Sequence, residues 1–209
     1  KLEKLEPMEI VQKYTVGFHE VCRLFNLLPP TIEPTATGHI VEQIEMTQKL
    51  IDNGVAYESN GSVYFDVKAY NDKGNNYGVL SGRNIDELIA GYRDLDGQEE
   101  KRNSVDFALW KKASSMHIMR WNSPWGKGFP GWHLECSVMS RELLGLPFDI
   151  HTGGIDHREI HHPNEIAQNQ AITGCGSLDC AQHSGARVWM HNNFLIDRSG
   201  KMSKSSGEF

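Results

Sequence analysis

The stretch "FDIHTGGIDHREIHHPNEIAQNQAITG", residues 148 to 174, constrains the fold more than any other part of the chain. "FDIH" reads as a short buried strand that runs into adjacent glycines, and a helical pattern then closes on Gly174. A second strand-like run, "RVWMHNNFLI", comes next. Strand, glycine-rich turn, helix, strand is the grammar of a parallel α/β sheet, since parallel neighbours need a crossover and a helix usually supplies it. Ligands of such sheets gather at the carboxyl ends of the strands. An α/β fold with its site beside "TGG" is therefore expected.

The earlier part of the chain reads differently. Pro7 opens a helix with apolar residues at helical spacing from Ile10 to Phe25, and "LLPPTIEPTATG" is a linker that its prolines keep from being helical. A second helix is expected from about Ile40 to Asn53, ending at Gly54. "VAYESNGSVYFDV" reads as a hairpin around Asn60-Gly61, "DFALWKK" as a further strand, and "IDELIAGY" as a short helix in a polar stretch. "GWHLECSVMSRELLG" is helical and closes on Gly145. Three regions follow: residues 1–54, mainly helical; 55–130, a small inserted α+β module; and 131–209, the strand–turn–helix–strand region.

Bulk properties exclude several classes. A net charge of −6 argues against a chain that coats nucleic acid over its whole surface, though a local basic patch is compatible with it. No apolar run approaches the roughly 20 residues that span a bilayer. Four cysteines, Cys22, Cys136, Cys175 and Cys180, are too few to staple a secreted domain of 209 residues, so a reducing cytoplasm is expected. "CGSLDCAQH" has irregular spacing for a zinc finger and reads as a surface insertion with free thiols.

Four groups of residues could carry chemistry. Gly153 and Gly154 allow close approach to the backbone, and Asp156 could accept hydrogen bonds from a ribose diol; the same residues also make a plain turn. With Pro163 at the first helical position, His161 would stand just before a helix and Glu165 in its first turn, so both could reach one metal; alternatively His161 and His162 are solvated histidines and Glu165 is a capping carboxylate. Cys136 offers a thiolate, with Trp132 four residues earlier on the same helical face, or the two form a buried apolar pair. Finally, "KMSKS" places Lys201 and Lys204 on a glycine- and serine-rich stretch after a strand. Lysines on a mobile loop can close on negative charge that develops in nucleotidyl chemistry.

These residues together resemble the class I aminoacyl-tRNA synthetases, whose second signature is "KMSKS". "SPWGKGFPGWHLECS", "FDIHTGGIDHREIHHPNEIAQ" and "VWMHNNFLIDRSGKMSKSSGEF" resemble the cysteinyl-tRNA synthetase family, and the likeness covers nearly the whole chain. The resemblance implies a partial Rossmann-like nucleotide-binding fold carrying a connective insertion. It implies one catalytic Zn²⁺ with four protein ligands, three of them Cys136, His161 and Glu165 and the fourth missing from this chain, and a cysteine pocket lined by Trp132 and His151. Gly153, Gly154 and Asp156 would face the ribose of ATP, with the backbone around Met190 against the adenine. Lys201 and Lys204 would stabilise adenylate formation, Lys204 contacting ATP. The substrates implied are L-cysteine, ATP with Mg²⁺, and tRNA(Cys), and a monomer is expected.

Zinc suits this task. A pocket that distinguishes cysteine from serine by size alone supplies only about 1–3 kcal/mol. A metal–thiolate bond exploits softness, which a hydroxyl lacks at neutral pH. Two departures from the family pattern stand out. The His-Ile-Gly-His-type signature and the first zinc cysteine are missing, and Pro163 stands where the family more often has an acidic residue. The chain is accordingly expected to be part of a longer polypeptide and inactive alone. A ligase joining cysteine to an amino sugar, and a non-catalytic paralogue that binds RNA, share enough of the pattern to be alternatives.

Overall fold

A computed structural model describes residues 4–82, 100–174, 180–197 and 200–201. The expected helix at "IDELIAGY", Cys175, and residues 202–209 with Lys204 lie outside the described residues. Helix α1 spans Pro7–Leu24, with Pro7 in its first turn and a reciprocal capping box between Glu6 and Glu9. Its apolar face is bare: Tyr14, Phe18 and Val21 are all exposed. Helix α2, Ile40–Asp52, instead buries Ile40, Met46 and Leu50.

A four-stranded antiparallel sheet follows in the order β1 (Ala56–Ser59), β2 (Ser62–Phe65), β3 (Phe107–Lys112), β4 (Gly128–Pro130). The β1–β2 turn is the expected one: Asn60 and Gly61 both take positive φ, the requirement of a tight two-residue hairpin. Strand β2 is buried along its whole length, and Phe65 stacks on Phe107 with centroids 4.7 Å apart and planes 8° apart. Such a pair adds about 0.5–1.5 kcal/mol beyond area burial. Helix α3, Val67–Asp72, leaves β2 under the Asp66 cap, whose side chain accepts from the Ala69 amide. Buried Asp106 ties this region together, accepting from Tyr57 Oη at 2.7 Å and from the Val67 amide at 3.1 Å.

The core crosses residues 54 and 130 without a break. Leu50 of α2, Phe65, Phe107 and Trp110 of the sheet, and Leu134, Val138 and Ala167 from beyond it belong to one cluster. Helix α4, Leu134–Leu144, ends at Gly145 with φ 73°. It leads to β5, Phe148–Gly154, which pairs in parallel with β6, Ala186–Asn192. Between these strands run a 3₁₀ turn over Ile155–Arg158, helix α5 (His161–Thr173) and the short α6 (Ala181–Ser184). The parallel strand–helix–strand unit expected from the sequence is present.

Four local readings are corrected. Strand β5 is longer than "FDIH", includes both glycines, and is half open: Ile150 on β5 and Val188 and Met190 on β6 are more than half exposed. Strand β6 stops at Asn192; Ile196–Asp197 belongs to a separate antiparallel pair with Gly200–Lys201. Helix α5 starts at His161, two residues before Pro163, so His161 is inside the helix. Proline is compatible with this because amides in the first turn have no intrahelical partner. Helix α4 begins at Leu134, which leaves Trp132 outside it and off the helical face of Cys136. Among the described residues no helix is long and apolar enough to cross a membrane.

Candidate functional site

Helix α5 carries the site, and its setting is unusual for so polar a sequence. Every residue from His161 to Gln170 is buried. Buried polar groups need partners, and neighbouring elements supply them. Tyr77 Oη donates to Asn164 Oδ1 at 2.6 Å, Tyr70 Oη donates to Gln170 Oε1, and Asn53 Nδ2 donates to the Ala171 carbonyl at 3.0 Å. Gln168 Nε2 donates to His133 Nδ1.

At the start of α5, Glu165 is the hub. His151 Nε2, on β5, lies 3.0 and 2.9 Å from its two carboxylate oxygens, and His161 Nε2 lies 3.1 Å from one of them. Burial alone would raise the Glu165 carboxyl, but hydrogen bonds and charge from His151 and His161 hold it below its usual value. Cys136, on the first turn of α4, completes the group: donor atoms of Cys136, His161 and Glu165 lie within 4.8 Å of one another. A second set, His151, His162 and Glu165, meets the same criterion and shares the carboxylate.

The electrostatics of this cluster are incomplete. Burial, with the Glu165 and Glu135 carboxylates nearby, pushes the Cys136 thiol up to about 12. His161 Nδ1 is buried and meets no hydrogen-bond partner among the described residues. His133 and His162 are each held down to about 3, chiefly by burial, and are therefore neutral. A carboxylate, an imidazole and a thiol reluctant to ionise without a cation are a donor set that a divalent metal would satisfy.

The other expected residues are spread around this centre. Trp132 is exposed and stands edge-on to His161, centroids 4.7 Å apart. A cavity of about 540 Å³ opens beside Cys136 and His151, walled by Leu143, Leu144 and the linker residues Ile32 and Pro34. Gly153 faces histidine: a Cβ there would lie 3.0 Å from His162 Cε1 and 3.1 Å from His157 Cβ. Asp156, on the 3₁₀ turn, is exposed and lies 3.3 Å from His157 Nδ1. Met190 is exposed on β6, and Lys201 ends the short strand Gly200–Lys201.

Residues 2–209 match the family model for the class I (C) tRNA synthetase catalytic domain. The chain belongs to this cysteinyl-tRNA synthetase family. It is similar, at 56% identity over its whole length, to the cysteine–tRNA ligase of Porphyromonas gingivalis, of which it covers 41%. It is 55% identical to that of Azobacteroides pseudotrichonymphae, again covering 41%, and 52% identical to that of Deinococcus radiodurans, covering 39%. The chain thus spans about two fifths of the length of these relatives. The mixed α/β architecture agrees with a partial Rossmann-like synthetase fold.

Within the family framework, several residues at the centre went unnoticed in the sequence pattern. These are His133, His157 and His191: His133 and His157 stand edge-on to His161, and His191 Nε2 lies 2.8 Å from Nδ1 of His162, which stacks on His151 at 4.4 Å. The available signal was compositional: the chain has ten histidines, and four of them crowd residues 151–162.

Proposed function

We propose that this chain is the part of a cysteine–tRNA ligase that selects cysteine and helps activate it with ATP. The observation that carries the reading is the convergence of a thiol, an imidazole and a carboxylate at Cys136, His161 and Glu165 in a chain of the matched family. Thiolate, imidazole and carboxylate are the ligands zinc accepts, and this chain supplies three of them, the fourth coming from the part of the longer protein that it lacks. The unpartnered His161 Nδ1 and the raised Cys136 thiol fit a site that expects a cation. Bound there, zinc would supply a soft Lewis acid that favours a substrate thiolate over a hydroxyl.

Cys136, His161 and Glu165 would hold the metal. His151, bonded to Glu165, would orient that carboxylate and line the amino-acid pocket with Trp132. Gly153, Gly154 and Asp156 would face the ribose, with the backbone at Met190 against the adenine. Lys201 and Lys204 would offset negative charge on the departing pyrophosphate. In the complete enzyme, cysteine and Mg²⁺-bound ATP would give cysteinyl-adenylate and pyrophosphate. The terminal ribose of tRNA(Cys) would then take the cysteinyl group and release AMP. A cytoplasmic monomer completes the reading, supported by the sparse cysteines.

The test is metal content together with cysteine-dependent ATP–pyrophosphate exchange on the full-length protein. One zinc per chain and lost rejection of serine in Cys136→Ser are expected. A Cys136→Ser enzyme that rejects serine as well as its parent would overturn the reading.

A further inference from the structure

Tyr77 lies in the segment after α3, far in sequence from the metal centre, and no part of the reading above uses it. Its hydroxyl donates to Asn164 Oδ1 at 2.6 Å, in the buried first turn of α5, and Asn164 sits directly beside Glu165. Tyr77 is itself held, since its amide donates to Asn71 Oδ1 at 3.0 Å. A second route runs through its ring. Tyr77 stacks on Phe107 at 5.9 Å, Phe107 meets His133 edge-on at 4.9 Å, and His133 faces His161 at 6.3 Å. Both routes end on a residue of the Cys136–His161–Glu165 cluster or on its immediate neighbour.

Helix α3 itself grips α5 at a second point, through Tyr70 and Gln170. Residues 164 and 170 are separated by about 9 Å along a helix axis and about 120° around it. With the Gln168–His133 and Asn53–Ala171 bonds, the two tyrosine contacts hold α5 in height and rotation, and the Tyr77 bond is the one of these four in its first turn, beside Glu165. Rotation matters at a metal centre. With side-chain tips ~6 Å from the axis, a turn of about 10° moves them roughly 1 Å. Metal–ligand distances tolerate only about 0.2 Å. The Tyr77 contact lies at the ligand-bearing end; the Tyr70 contact lies at the other.

We propose that Tyr77 is a positioning residue that sets the rotation of the first turn of α5, so that His161 and Glu165 aim at one metal with Cys136. The inference rests on the zinc reading above. It makes the region between β2 and β3 a support for cysteine selection as well as a packing layer.

The experiment compares Tyr77→Phe and Tyr70→Phe in the full-length enzyme. Zinc affinity is read by chelator competition, and KM for cysteine and for ATP by pyrophosphate exchange. Both variants lose one buried hydroxyl, so both lower the melting temperature. Tyr77→Phe alone is expected to weaken zinc about tenfold, the lower end for residues supporting metal ligands, and to raise KM for cysteine while KM for ATP stays within about twofold. Unchanged zinc affinity in Tyr77→Phe, or equal losses in both variants, overturns the proposal. If Tyr77→Phe does not fold, Asn164→Ala carries the same expectation, and failure of both to fold assigns the contact to stability alone. A parent enzyme without zinc would sink the zinc reading itself, an outcome distinct from a zinc-loaded parent indifferent to Tyr77.

Discussion

His151 and Glu165 stand 14 residues apart in the chain, yet His151 Nε2 lies within 3.0 Å of both carboxylate oxygens. That contact joins β5 to the first turn of α5 and holds an almost fully buried carboxylate in its ionised form.

Replacing the carboxylate by an amide isolates this effect. In Glu165→Gln, one oxygen becomes an NH₂ group that faces a ring nitrogen, and the one carboxylate of the Cys136–His161–Glu165 donor set is gone. Zinc affinity of the full-length protein is expected to fall by more than about 100-fold, past the usual range for residues that only support ligands. Thermal denaturation and metal titration check both consequences.

The lysines are expected to act on the nucleotide and leave the metal alone. Lys204→Ala in the complete enzyme should slow ATP–pyrophosphate exchange on the order of 100-fold, as loss of one preorganised transition-state contact does. Zinc content and cysteine binding should stay at the parent level. Equal losses in exchange and in cysteine binding would count against this role.

Gly131 is a packing requirement at the end of β4. A Cβ there would collide with the Ala108 carbonyl oxygen, a backbone atom on β3 that cannot swing aside. The Gly131 amide also donates to the Leu109 carbonyl at 2.8 Å, which fixes its place. Gly131→Ala should destabilise the fold by about 3 kcal/mol or more, the upper part of the range for overpacking. Chemical denaturation measures this, and a loss under about 1 kcal/mol would contradict the geometry.

Tyr57 gives a pH dependence outside the Cys136–His161–Glu165 cluster. Burial, opposed by a hydrogen bond from the Arg102 amide and reinforced by Asp106, raises its hydroxyl well above the usual tyrosine range of about 10. The folded state therefore keeps this proton after the unfolded state has released it. The stabilisation is complete below pH ~10 and is lost as pH rises past that value toward the folded-state pKa. Stability above pH ~10 should fall more steeply for the parent than for Tyr57→Phe, and identical slopes would refute the assignment.

What sequence alone determined is mostly local or chemical. Asn60-Gly61 sets a turn because both positions need positive φ, and Gly145 and Gly174 end helices by adopting it. Alternation of strand and helix around "TGG" gave the parallel unit, and residue chemistry singled out Cys136, His161 and Glu165 as a donor set. Local pattern misled where tertiary contacts took over: Pro163 suggested a later helix start, and Trp132 followed a helical period that the chain enters only at Leu134.

Tertiary structure alone decided why a helix as polar as α5 can be buried on every side. Its partners, Tyr70, Tyr77 and Asn53, come from positions 87 to 118 residues away, and no periodicity records a hydrogen bond across such distances. His151, His161 and His162 gather around Glu165 for the same reason. Short-range sterics are written in neighbouring residues, whereas the desolvation and charge that tune a buried centre exist only once distant segments exclude water together.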